Sequence, residues 1–441
     1  MKFFKKATEG LYLGLNEVER ATYLPDLSRT MHTQILGATG VGKTESGIFP
    51  MIFDDLLTGR SVLFIDPKAD SSTIQTLIQL CSISGRSQDL IHIDLGALDP
   101  VTGYNPMKVG SPSELKDKIV GSILWTEEFY KKVSERVLLN TFSLFREAKL
   151  QVSISDVCQF LRDPSSLEAS ITVASPDLAE EYETLRAMIG TSQKNLEGLM
   201  ADLELWTRSD MGKILMNHES DSVLDWIKAK KVVYVSLNTL AFEESARRFG
   251  RLILQDLKTA VQRLQALDTN QRPIASVYVD EFASVASSGF IELLNKARSA
   301  NVRLTLAHQS LGDLTQVSDS FADQILDNTN VKMIFRLDSP DTSDFFSRLI
   351  GTRKSEKKTV QISGNGILGA SQTGMGTSRD TEEFIFSPNE FRRLARGEAL
   401  VLTKIPFSVS KVRLQGISKR IEAYEENESK RRMRWPGFSK G

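Results

Sequence analysis

Gly37-Ala-Thr-Gly40-Val-Gly42-Lys43-Thr44 has the spacing of a phosphate-binding loop, G-x-x-x-x-G-K-[ST]. It follows an extended segment of alternating apolar residues, Met31 to Leu36, and precedes a segment that can continue as a helix. The N–H groups of a glycine-rich turn and the helix N-terminus attract phosphate. The lysine of such a loop reaches the β- and γ-phosphates, and the threonine hydroxyl binds Mg²⁺. The predicted nucleotide-binding residues are Gly37, Ala38, Thr39, Gly40, Val41, Gly42, Lys43 and Thr44.

The composition of the 441-residue chain is that of an ordinary globular protein, with 41% hydrophobic and 25% charged residues. This length predicts two or three domains. The net charge of −1 gives no global signal for nucleic acid, so any such contact would use local basic patches. Cys81 and Cys158 lack the spacing of a metal site, which indicates buried thiols in a reducing compartment. No apolar run approaches the roughly 18 to 20 residues of a membrane span, so we expect a soluble, cytosolic chain.

Short apolar runs rich in β-formers alternate with helical patterns along much of the chain. The predicted strands are Ser61–Asp66, Leu90–Leu95, Val232–Leu237, Ile274–Asp280, Val302–His308, Val331–Leu337 and Glu398–Thr403. The predicted helices are Thr44–Leu57, Ala69–Ile83, Phe242–Leu267, Phe290–Ala300, Asp319–Asp327 and Thr342–Ile350. Such alternation is typical of a parallel sheet covered on both faces, so we predict an α/β fold.

One region, from about Ser111 to Lys230, breaks the alternation because it has almost no strand signal. Its predicted amphipathic helices, with N-caps at Ser113, Ser155 and Ser192, are Ser113–Ile123, Phe129–Lys149, Ser155–Leu161, Leu178–Gly190 and Ser192–Thr207. We interpret residues 111–230 as an all-α domain inserted into a motor domain of residues 1–110 and 231–418. The alternative is that these helices only cover the sheet. Two segments are predicted to be mobile, the Ser-, Thr- and Gly-rich Gly351–Arg379 and a charged tail at 419–441.

Nucleotide hydrolysis needs a second carboxylate at the metal and a group that activates water. Asp280 follows an apolar strand and is followed directly by Glu281. One strand end can therefore supply both a Mg²⁺ ligand, Asp280, and a general base, Glu281. Asp66, at the end of another predicted strand, is the alternative carboxylate.

Two further residues are candidates for the same chemistry. Gln309 follows the predicted strand Val302–His308 and can sense the γ-phosphate or orient water, with a structural role as the alternative. Arg298 ends the helix between the two strands. It is either an arginine finger that reaches the nucleotide of a neighbouring subunit or an ordinary arginine at a helix end.

These motifs together resemble the type IV coupling proteins of bacterial conjugation and secretion, which are ring-forming ATPases of the FtsK–HerA class. The resemblance extends from about Leu36 to Thr403. Besides the phosphate loop, it rests on the D-P-K element Asp66-Pro67-Lys68, the N-P segment Asn105-Pro106-Met107, the Walker B stretch Val279–Ser284, Arg298, and the glutamine motif Ala307–Ser310. It implies a RecA-like P-loop NTPase sheet with an inserted all-α domain. It also implies ATP and Mg²⁺ as cofactors, Lys43, Glu281, Arg298 and Gln309 as catalytic residues, and a homohexamer with Arg298 as the finger.

The resulting functional prediction is an ATP-driven coupling protein that recruits and translocates a relaxase–DNA substrate to a type IV secretion channel. The expected partners are DNA, a relaxase or relaxosome proteins, channel components, and a membrane-anchoring partner at the cytoplasmic face of the inner membrane. DNA contacts are expected at Lys354, Lys357 and Lys358, or at the basic cluster Lys430–Arg434. The alternatives are a HerA-like DNA-processing translocase and a non-translocating adaptor ATPase that recruits substrates.

Overall fold

The computed structural model describes residues 10–97, 102–174, 178–209, 211–363 and 371–434. Its strands are β1 (Leu11–Asn16), β2 (Ala21–Leu24), β3 (Thr33–Leu36), β4 (Ser61–Asp66), β5 (Leu90–Asp94), β6 (Val232–Ser236), β7 (Ala275–Val279), β8 (Val302–His308), β9 (Val331–Ile334), β10 (Thr352–Ser363), β11 (Ser371–Phe384), β12 (Glu398–Thr403) and β13 (Ser408–Leu414). Eleven of them form one sheet in the order β2-β1-β13-β12-β9-β3-β8-β7-β4-β6-β5, and β10 pairs with β11.

The part of the large sheet that runs from β9 to β5 is parallel. Each neighbouring pair in this part has parallel register, and β3 ends at Leu36, directly before the phosphate loop. Two predicted strands of this parallel part, Ser61–Asp66 and Val302–His308, have the observed bounds, as does the predicted Glu398–Thr403 next to it. The prediction of an α/β fold with a parallel P-loop sheet is therefore confirmed for this part of the molecule.

The remaining side of the sheet is antiparallel, which corrects the prediction of a parallel sheet. β12 pairs in antiparallel register with β9 and with β13, and β1 does so with β13 and β2. Residues 404–407 connect β12 to β13, and residues 17–20 connect β1 to β2. Connections this short join only antiparallel strands, since a parallel crossover needs a dozen or more residues. Because no helix separates these strands, the strand–helix alternation gave no sign of β1, β2 or β13.

Helices cover the sheet and fill the long connection between β5 and β6. The helices are α1 (Asp26–Thr30), α2 (Phe49–Leu57), α3 (Ser71–Ile83), α4 (Pro112–Val120), α5 (Glu128–Glu147), α6 (Ile154–Arg162), α7 (Glu168–Ala174), α8 (Ala179–Arg208), α9 (Gly212–Leu215), α10 (Val223–Lys228), α11 (Thr239–Gln265), α12 (Phe290–Ala297), α13 (Leu311–Thr315), α14 (Phe321–Asn328), α15 (Pro340–Ile350), α16 (Pro388–Arg393) and α17 (Ile417–Arg434). The helices α4 to α10 lie where the sequence predicted an all-α insertion.

The N-caps in this helical region differ from the predicted ones. α8 continues through Ser192, which is buried within the helix instead of capping one. Ser111 and Ser153 cap α4 and α6, in place of Ser113 and Ser155. Each forms a reciprocal capping box with an acidic residue three positions later, which satisfies two backbone N–H groups.

Apolar packing joins the helical region to one face of the sheet. A single buried cluster contains Leu63 of β4, Phe142 of α5 and Trp226 of α10. The ring of Trp226 stacks on that of Tyr104 with 5.0 Å between centroids. The opposite face carries a second cluster, which α2 and α17 cover. Both faces of the sheet are thus covered by helices, as predicted.

Regular secondary structure occupies much of the two segments that were predicted to be mobile. β10 and β11 form an antiparallel hairpin within the first segment, and residues 364–370 lie outside the described residues. α17 includes residues 419–434 of the predicted tail, and the flexibility of the tail stays a prediction. Ile417 and Ile421 are buried one turn apart, and the Glu, Lys and Arg residues between and after them are good helix formers. Residues from Trp435 onward lie outside the described residues.

Candidate nucleotide site

The phosphate loop makes a tight turn between β3 and α2. Gly42 has φ 98° and Gly40 has φ 77°, and both angles are in the region that residues with a Cβ rarely adopt. Residues Lys43–Ile48 form a wide π-helical turn before α2 begins at Phe49. Such turns are rare in proteins and frequently lie at functional sites. Two glycines of the sequence motif are therefore explained by the backbone conformation of the loop.

The ammonium group of Lys43 is held by the loop itself. Its Nζ donates to the carbonyl oxygens of Gly37 at 2.6 Å and Ala38 at 3.0 Å. Burial lowers the pKa of Lys43, although the nearby charge of Asp280 opposes this effect. Backbone carbonyls compensate the charge only in part, so an anionic phosphate placed in the loop would be a stronger partner for this lysine.

The hydroxyl of Thr44 meets the carboxylate of Asp280. Thr44 Oγ1 donates to Asp280 Oδ2 at 2.8 Å, although their strands β3 and β7 are separated in the sheet by β8. Hydroxyl and carboxylate oxygens are the kind of ligand that Mg²⁺ takes, with phosphate oxygens and water completing its shell. The described residues contain no group of three or more His, Cys, Asp or Glu side chains that could hold a metal alone. The donor set at Thr44 and Asp280 therefore fits a cation that arrives with a nucleotide.

Glu281 follows Asp280 with an unusual backbone. Its φ of 39° and ψ of 48° are left-handed, a strained conformation that tends to occur at functional sites. Its backbone N–H donates to Asp280 Oδ1 at 2.9 Å, which fixes the Asp280 carboxylate to the turn that follows β7. The Glu281 carboxylate also pairs with Lys68 Nζ at 2.7 Å.

The pairing with Glu281 affects Lys68 in turn. Burial lowers the pKa of Lys68, but the hydrogen bond to Glu281 and the charge of Asp280 outweigh burial, so the pKa is raised. Lys68 remains charged and partly neutralises the carboxylates of this site. The sequence identified Lys68 only as part of the D-P-K element and gave it no role.

Asp66, the alternative metal carboxylate, has different contacts. Its carboxylate accepts hydrogen bonds from the N–H of Lys68 at 2.9 Å and from the hydroxyl of Tyr234 at 2.8 Å. Burial raises its pKa, and these hydrogen bonds offset only part of that effect. Asp66 fixes the turn that carries Lys68, whereas Asp280 is the carboxylate that contacts Thr44. The geometry favours Asp280 for the metal.

Gln309 lies beside Glu281, as the order of the strands predicts. Both residues line a cavity of about 330 Å³ at the end of β8. The backbone N–H of Gln309 donates to Asp313 Oδ2 at 3.0 Å, which fixes the start of α13, and the Gln309 side chain is exposed. Two arginines of α11, Arg247 and Arg251, also line this cavity, and the sequence did not single them out.

Arg298 lies at the opposite edge of the sheet. It follows α12 at the beginning of β8, whereas Gln309 follows the end of β8, and seven residues of a strand span about 20 Å. The exposed Arg298 lines a separate cavity of about 230 Å³ with His32 and Asn330. Burial lowers the pKa of that histidine to about 4. Arg298 does not reach the phosphate loop of its own chain. Two roles therefore remain for it, contact with the nucleotide of another subunit or an ordinary role at the end of the helix.

The N-P segment has a structural role in this fold. The Asn105 side-chain amide donates to the carbonyl oxygens of Val152 at 3.1 Å and His218 at 2.9 Å. Its oxygen accepts from the N–H of Met107 at 2.9 Å. Asn105 is fully buried, so it ties three loops of the helical region together instead of facing a ligand.

Across the part of the chain that the structure describes, every helix is too short or too polar to cross a bilayer.

The chain is similar to known proteins in part of its sequence and in its fold. Residues 275–396 match the family model described as the TraM recognition site of TraD and TraG. A curated relative, the type 4 coupling protein DotL of Legionella pneumophila, is 22% identical over 400 residues. That alignment covers 76% of this chain and 50% of DotL, so the chain spans about half the length of this curated relative.

Several solved structures share the fold. The unbound bacterial conjugative coupling protein TrwB has a TM-score of 0.61 at 14% identity, covering 94% of this chain and 90% of TrwB. TrwB in complex with ADP and Mg²⁺ has a TM-score of 0.62 at 14% identity, with the same coverage. VirB4 of Thermoanaerobacter pseudethanolicus has a TM-score of 0.55 at 13% identity, covering 93% of this chain and 97% of VirB4. The chain therefore resembles type IV coupling proteins in a matched family model over residues 275–396, in a curated relative and in its fold.

Proposed function

We propose that this chain is an ATP-driven coupling protein that recruits a relaxase–DNA substrate and translocates its DNA toward a type IV secretion channel. The observation that carries the proposal is the contact between Thr44 and Asp280, with Glu281 next in sequence, at the phosphate loop. The fold around this contact is shared with TrwB, a coupling protein that has been solved with ADP and Mg²⁺ and with a non-hydrolysable ATP analogue.

In this proposal the loop Gly37–Thr44 binds the ATP phosphates, and Lys43 turns from the loop carbonyls toward the β- and γ-phosphates. Thr44 and Asp280 hold Mg²⁺, which neutralises charge on the phosphates. Gln309 orients a water molecule that attacks the γ-phosphorus. The proton of that water passes to the Glu281 carboxylate, and ADP leaves with the electron pair of the broken P–O bond.

The chain works as a homohexamer with nucleotide at the subunit boundaries. The position of Arg298 supports this part of the proposal, because the arginine is exposed and about 20 Å of strand separates it from its own phosphate loop. In a head-to-tail ring, the edge of one subunit's sheet that carries Arg298 can face the edge of the next subunit's sheet that carries the phosphate loop. Arg298 then supplies positive charge to the neighbour's γ-phosphate during hydrolysis.

Substrate recognition and movement use other parts of the chain. The all-α domain, residues 111–230, recruits relaxase or relaxosome proteins, while residues 1–110 and 231–418 form the motor. Lys354, Lys357 and Lys358 belong to the β10–β11 hairpin and contact DNA phosphates, which are alike at every sequence position. The complex stands at the cytoplasmic face of the inner membrane with an anchoring partner, next to the secretion channel.

The test is ATP turnover with and without single- and double-stranded DNA, measured together with particle mass. We expect DNA to raise turnover and ATP to shift the particle mass toward a hexamer, with the Lys43→Ala protein as inactive control. Turnover that ignores DNA would contradict the motor and favour the adaptor ATPase. DNA stimulation with a co-purifying nuclease instead of a relaxase would favour the HerA-like translocase.

A further inference from the structure

A cluster of three arginines lies on α11 beside the predicted catalytic residues. Glu244 is followed by Arg247, Arg248 and Arg251, a spacing that places all four on one face of a helix. Glu244 Oε1 lies 2.9 Å from Arg251 Nη1 and 3.6 Å from Arg248 Nε, and Glu244 Oε2 lies 3.8 Å from Arg247 Nη1. One carboxylate is thus shared among three guanidinium groups. A second carboxylate, Asp202 of α8, pairs with Arg248, which still leaves one positive charge in excess.

The backbone at the start of this cluster is strained. Glu243, directly before Glu244, has φ 37° and ψ −114°, far from helical values. Strain of this kind costs on the order of 1 to 3 kcal/mol and persists where the surrounding structure imposes it. The kink lies directly before Glu244, the carboxylate that the three arginines share.

Arg251 is the buried member of the cluster, with only 6% of its surface exposed, and it lines the cavity that also contains Glu281 and Gln309. Among the described residues, no acceptor lies within hydrogen-bond distance of Arg251 Nε, which is also buried. A buried donor without an acceptor costs free energy, but Nε is also closed to a ligand in the cavity, so binding there depends on the other N–H groups of this guanidinium.

The acidic groups of the cavity are already engaged with other partners. Asp313 accepts the N–H groups of Gln309 and Ser310, each at 3.0 Å. Glu281 pairs with Lys68. Arg247 and Arg251 are the lysine or arginine side chains that line the cavity, so they are the groups there that can pair with an anion.

We propose that this cavity binds inorganic phosphate, and that Arg251 and Arg247 are its ligands. The inference rests on the proposed function, in which hydrolysis releases phosphate next to Glu281 and Gln309. Guanidinium groups bind tetrahedral oxyanions through paired N–H donors, and the cavity of about 330 Å³ is ample for one phosphate ion. The site would hold the product after the P–O bond is broken and before phosphate leaves the protein.

Occupancy of this cavity is communicated to the helical region. A phosphate ion competes with Glu244 for Arg251, and the released Glu244 then attracts Arg248 more strongly. Arg248 is the partner of Asp202 on α8, and both of these side chains are largely buried. Phosphate binding therefore weakens the link between α8 and α11.

The direct test is calorimetric titration of inorganic phosphate into the full chain saturated with ADP and Mg²⁺, so that the phosphate loop is already filled. We expect Arg251→Gln to weaken phosphate binding by at least about tenfold, since a charge-assisted pair is lost, and Arg247→Gln to weaken it by less. Arg263→Gln is the matched control, because Arg263 also lies on α11 but pairs with Glu114 away from the cavity. If wild-type protein takes up no phosphate, or if both cavity variants bind it as wild type does, the proposal is wrong.

A second titration separates this proposal from the proposed function. The Lys43→Ala protein without nucleotide has a weakened phosphate loop but an intact cavity, so it should still bind one phosphate through Arg251. If ADP does not bind and ATP is not hydrolysed, but phosphate binding depends on Arg251, the motor proposal fails and the anion site stands. If ADP binds and ATP is hydrolysed, but phosphate binding does not depend on Arg251, the motor proposal stands and the phosphate site is wrong.

Hydrogen exchange tests the link to α8. Phosphate should accelerate exchange of the α8 amides around Asp202 in wild-type protein. Asp202→Asn should abolish this response, while Glu204→Gln should keep it, because Glu204 pairs with Arg162 inside the helical region. An equal response in Asp202→Asn would show that the signal, if it exists, does not pass through Arg248.

Discussion

The parallel sheet has one edge where its strands begin and an opposite edge where they end, and both edges carry many charged side chains. The partners of these side chains differ between the two edges. Where β3, β4 and β8 begin, Arg29 donates to Asp55 at 2.9 and 3.0 Å, and Arg60 donates to Asp55 at 2.8 Å. Arg303 binds Asp26 through two N–H groups, at 2.6 and 2.8 Å. At the opposite edge, Lys43 contacts only carbonyl oxygens and Thr44 contacts Asp280.

The ion pairs at the first edge stabilise the fold, whereas the polar groups at the nucleotide edge can exchange their present partners for a ligand. Asp55 is completely buried; burial alone would raise its pKa, but Arg29 and Arg60 lower it below the ordinary value. Breaking that pair leaves a buried charge without its partner, which is costly. At the nucleotide edge, by contrast, each contact is weak enough for a phosphate or a metal ion to replace it. Substitutions at the two edges should therefore affect different properties.

The largest expected effect concerns Arg298, the proposed arginine finger. Arg298→Ala should lower ATP turnover by about 10³- to 10⁵-fold, as loss of an arginine finger does elsewhere. Lys296→Ala is the control, since Lys296 lies two residues earlier, at the end of α12, and its ammonium group pairs with Glu292. Mixing Arg298→Ala with inactive Lys43→Ala subunits should restore some turnover, because a mixed boundary can combine an intact pocket with an intact arginine. A loss of less than about threefold would reduce Arg298 to a helix-end residue.

Glu281→Gln tests the nucleotide edge within one subunit. The substitution keeps the shape of the side chain but removes the base, so turnover should fall by about 10²- to 10⁴-fold while ATP binding persists. Lys43→Ala should instead weaken ATP binding itself. The measurement is turnover paired with equilibrium binding of an ATP analogue. Full hydrolysis by the Glu281→Gln protein would place the base elsewhere, with Asp66 to be examined first.

Asp55→Ala tests the opposite edge and should affect stability instead of chemistry. Removing this carboxylate leaves Arg29 buried without its main partner, and we expect the free energy of unfolding to fall by about 3 to 5 kcal/mol. Glu426→Ala removes an exposed pair on α17 and should cost less than about 0.5 kcal/mol. Denaturant unfolding measures both. If Asp55→Ala protein is as stable as wild type, the network is not what holds this edge together.

As the pH falls, the contributions of Asp26 and Asp66 to the free energy of unfolding should change in opposite directions. Burial opposes ionisation of Asp26, but Arg303, Arg60 and Arg29 lower its pKa to about 2. Its stabilising contribution is therefore present above the unfolded pKa of about 3.9 and is lost as the pH falls toward about 2. Burial raises the pKa of Asp66, so Asp66 opposes folding at neutral pH and this penalty disappears on acidification. Compared with wild type, Asp26→Asn should make the acid loss of stability shallower, and Asp66→Asn should make it steeper.

The smallest expected effect is at the hairpin. If Lys354, Lys357 and Lys358 contact phosphates, the triple alanine variant should lower the log–log salt slope of DNA binding by about 0.7 to 0.9 per lost contact. A truncation after Ile417 is the comparison for the basic tail. Unchanged affinity and slope in the triple variant, with loss in the truncation, would move the DNA contact to α17 and beyond.

The residues proposed for the nucleotide edge could be chosen from the sequence because each belongs to a local pattern. A glycine motif between a strand and a helix, and an Asp-Glu pair after an apolar strand, each lie within a few residues. Parallel register then brings their ends together, as with Thr44 and Asp280. The roles of Gly37–Thr44, Asp280, Glu281, Gln309 and Arg298 remain predictions for the experiments above.

Other features depend on contacts between distant residues, which no local pattern contains. Arg29 and Asp55 are separated by 26 positions, and Lys68 and Glu281 by far more. The antiparallel strands lacked intervening helices, and the tail was judged by its charge although its apolar residues had helical spacing. The arginines of α11 did have a visible signal, three basic residues spaced for one helical face, but their significance depends on the cavity behind them.

The position of α17 has a practical consequence for anyone who attaches a reporter to this protein. Ile417 and Ile421 share an apolar cluster with α2, and the ring of Tyr424 meets that of Phe53 at 5.5 Å. Ser418 Oγ also donates to Glu45 Oε1 at 3.3 Å, one residue after Thr44. A fluorophore or affinity tag fused after this helix is therefore mechanically connected to the segment that follows the phosphate loop. The fluorescence of such a reporter should change when the nucleotide exchanges. For the same reason, a bulky tag at this position should disturb the nucleotide site.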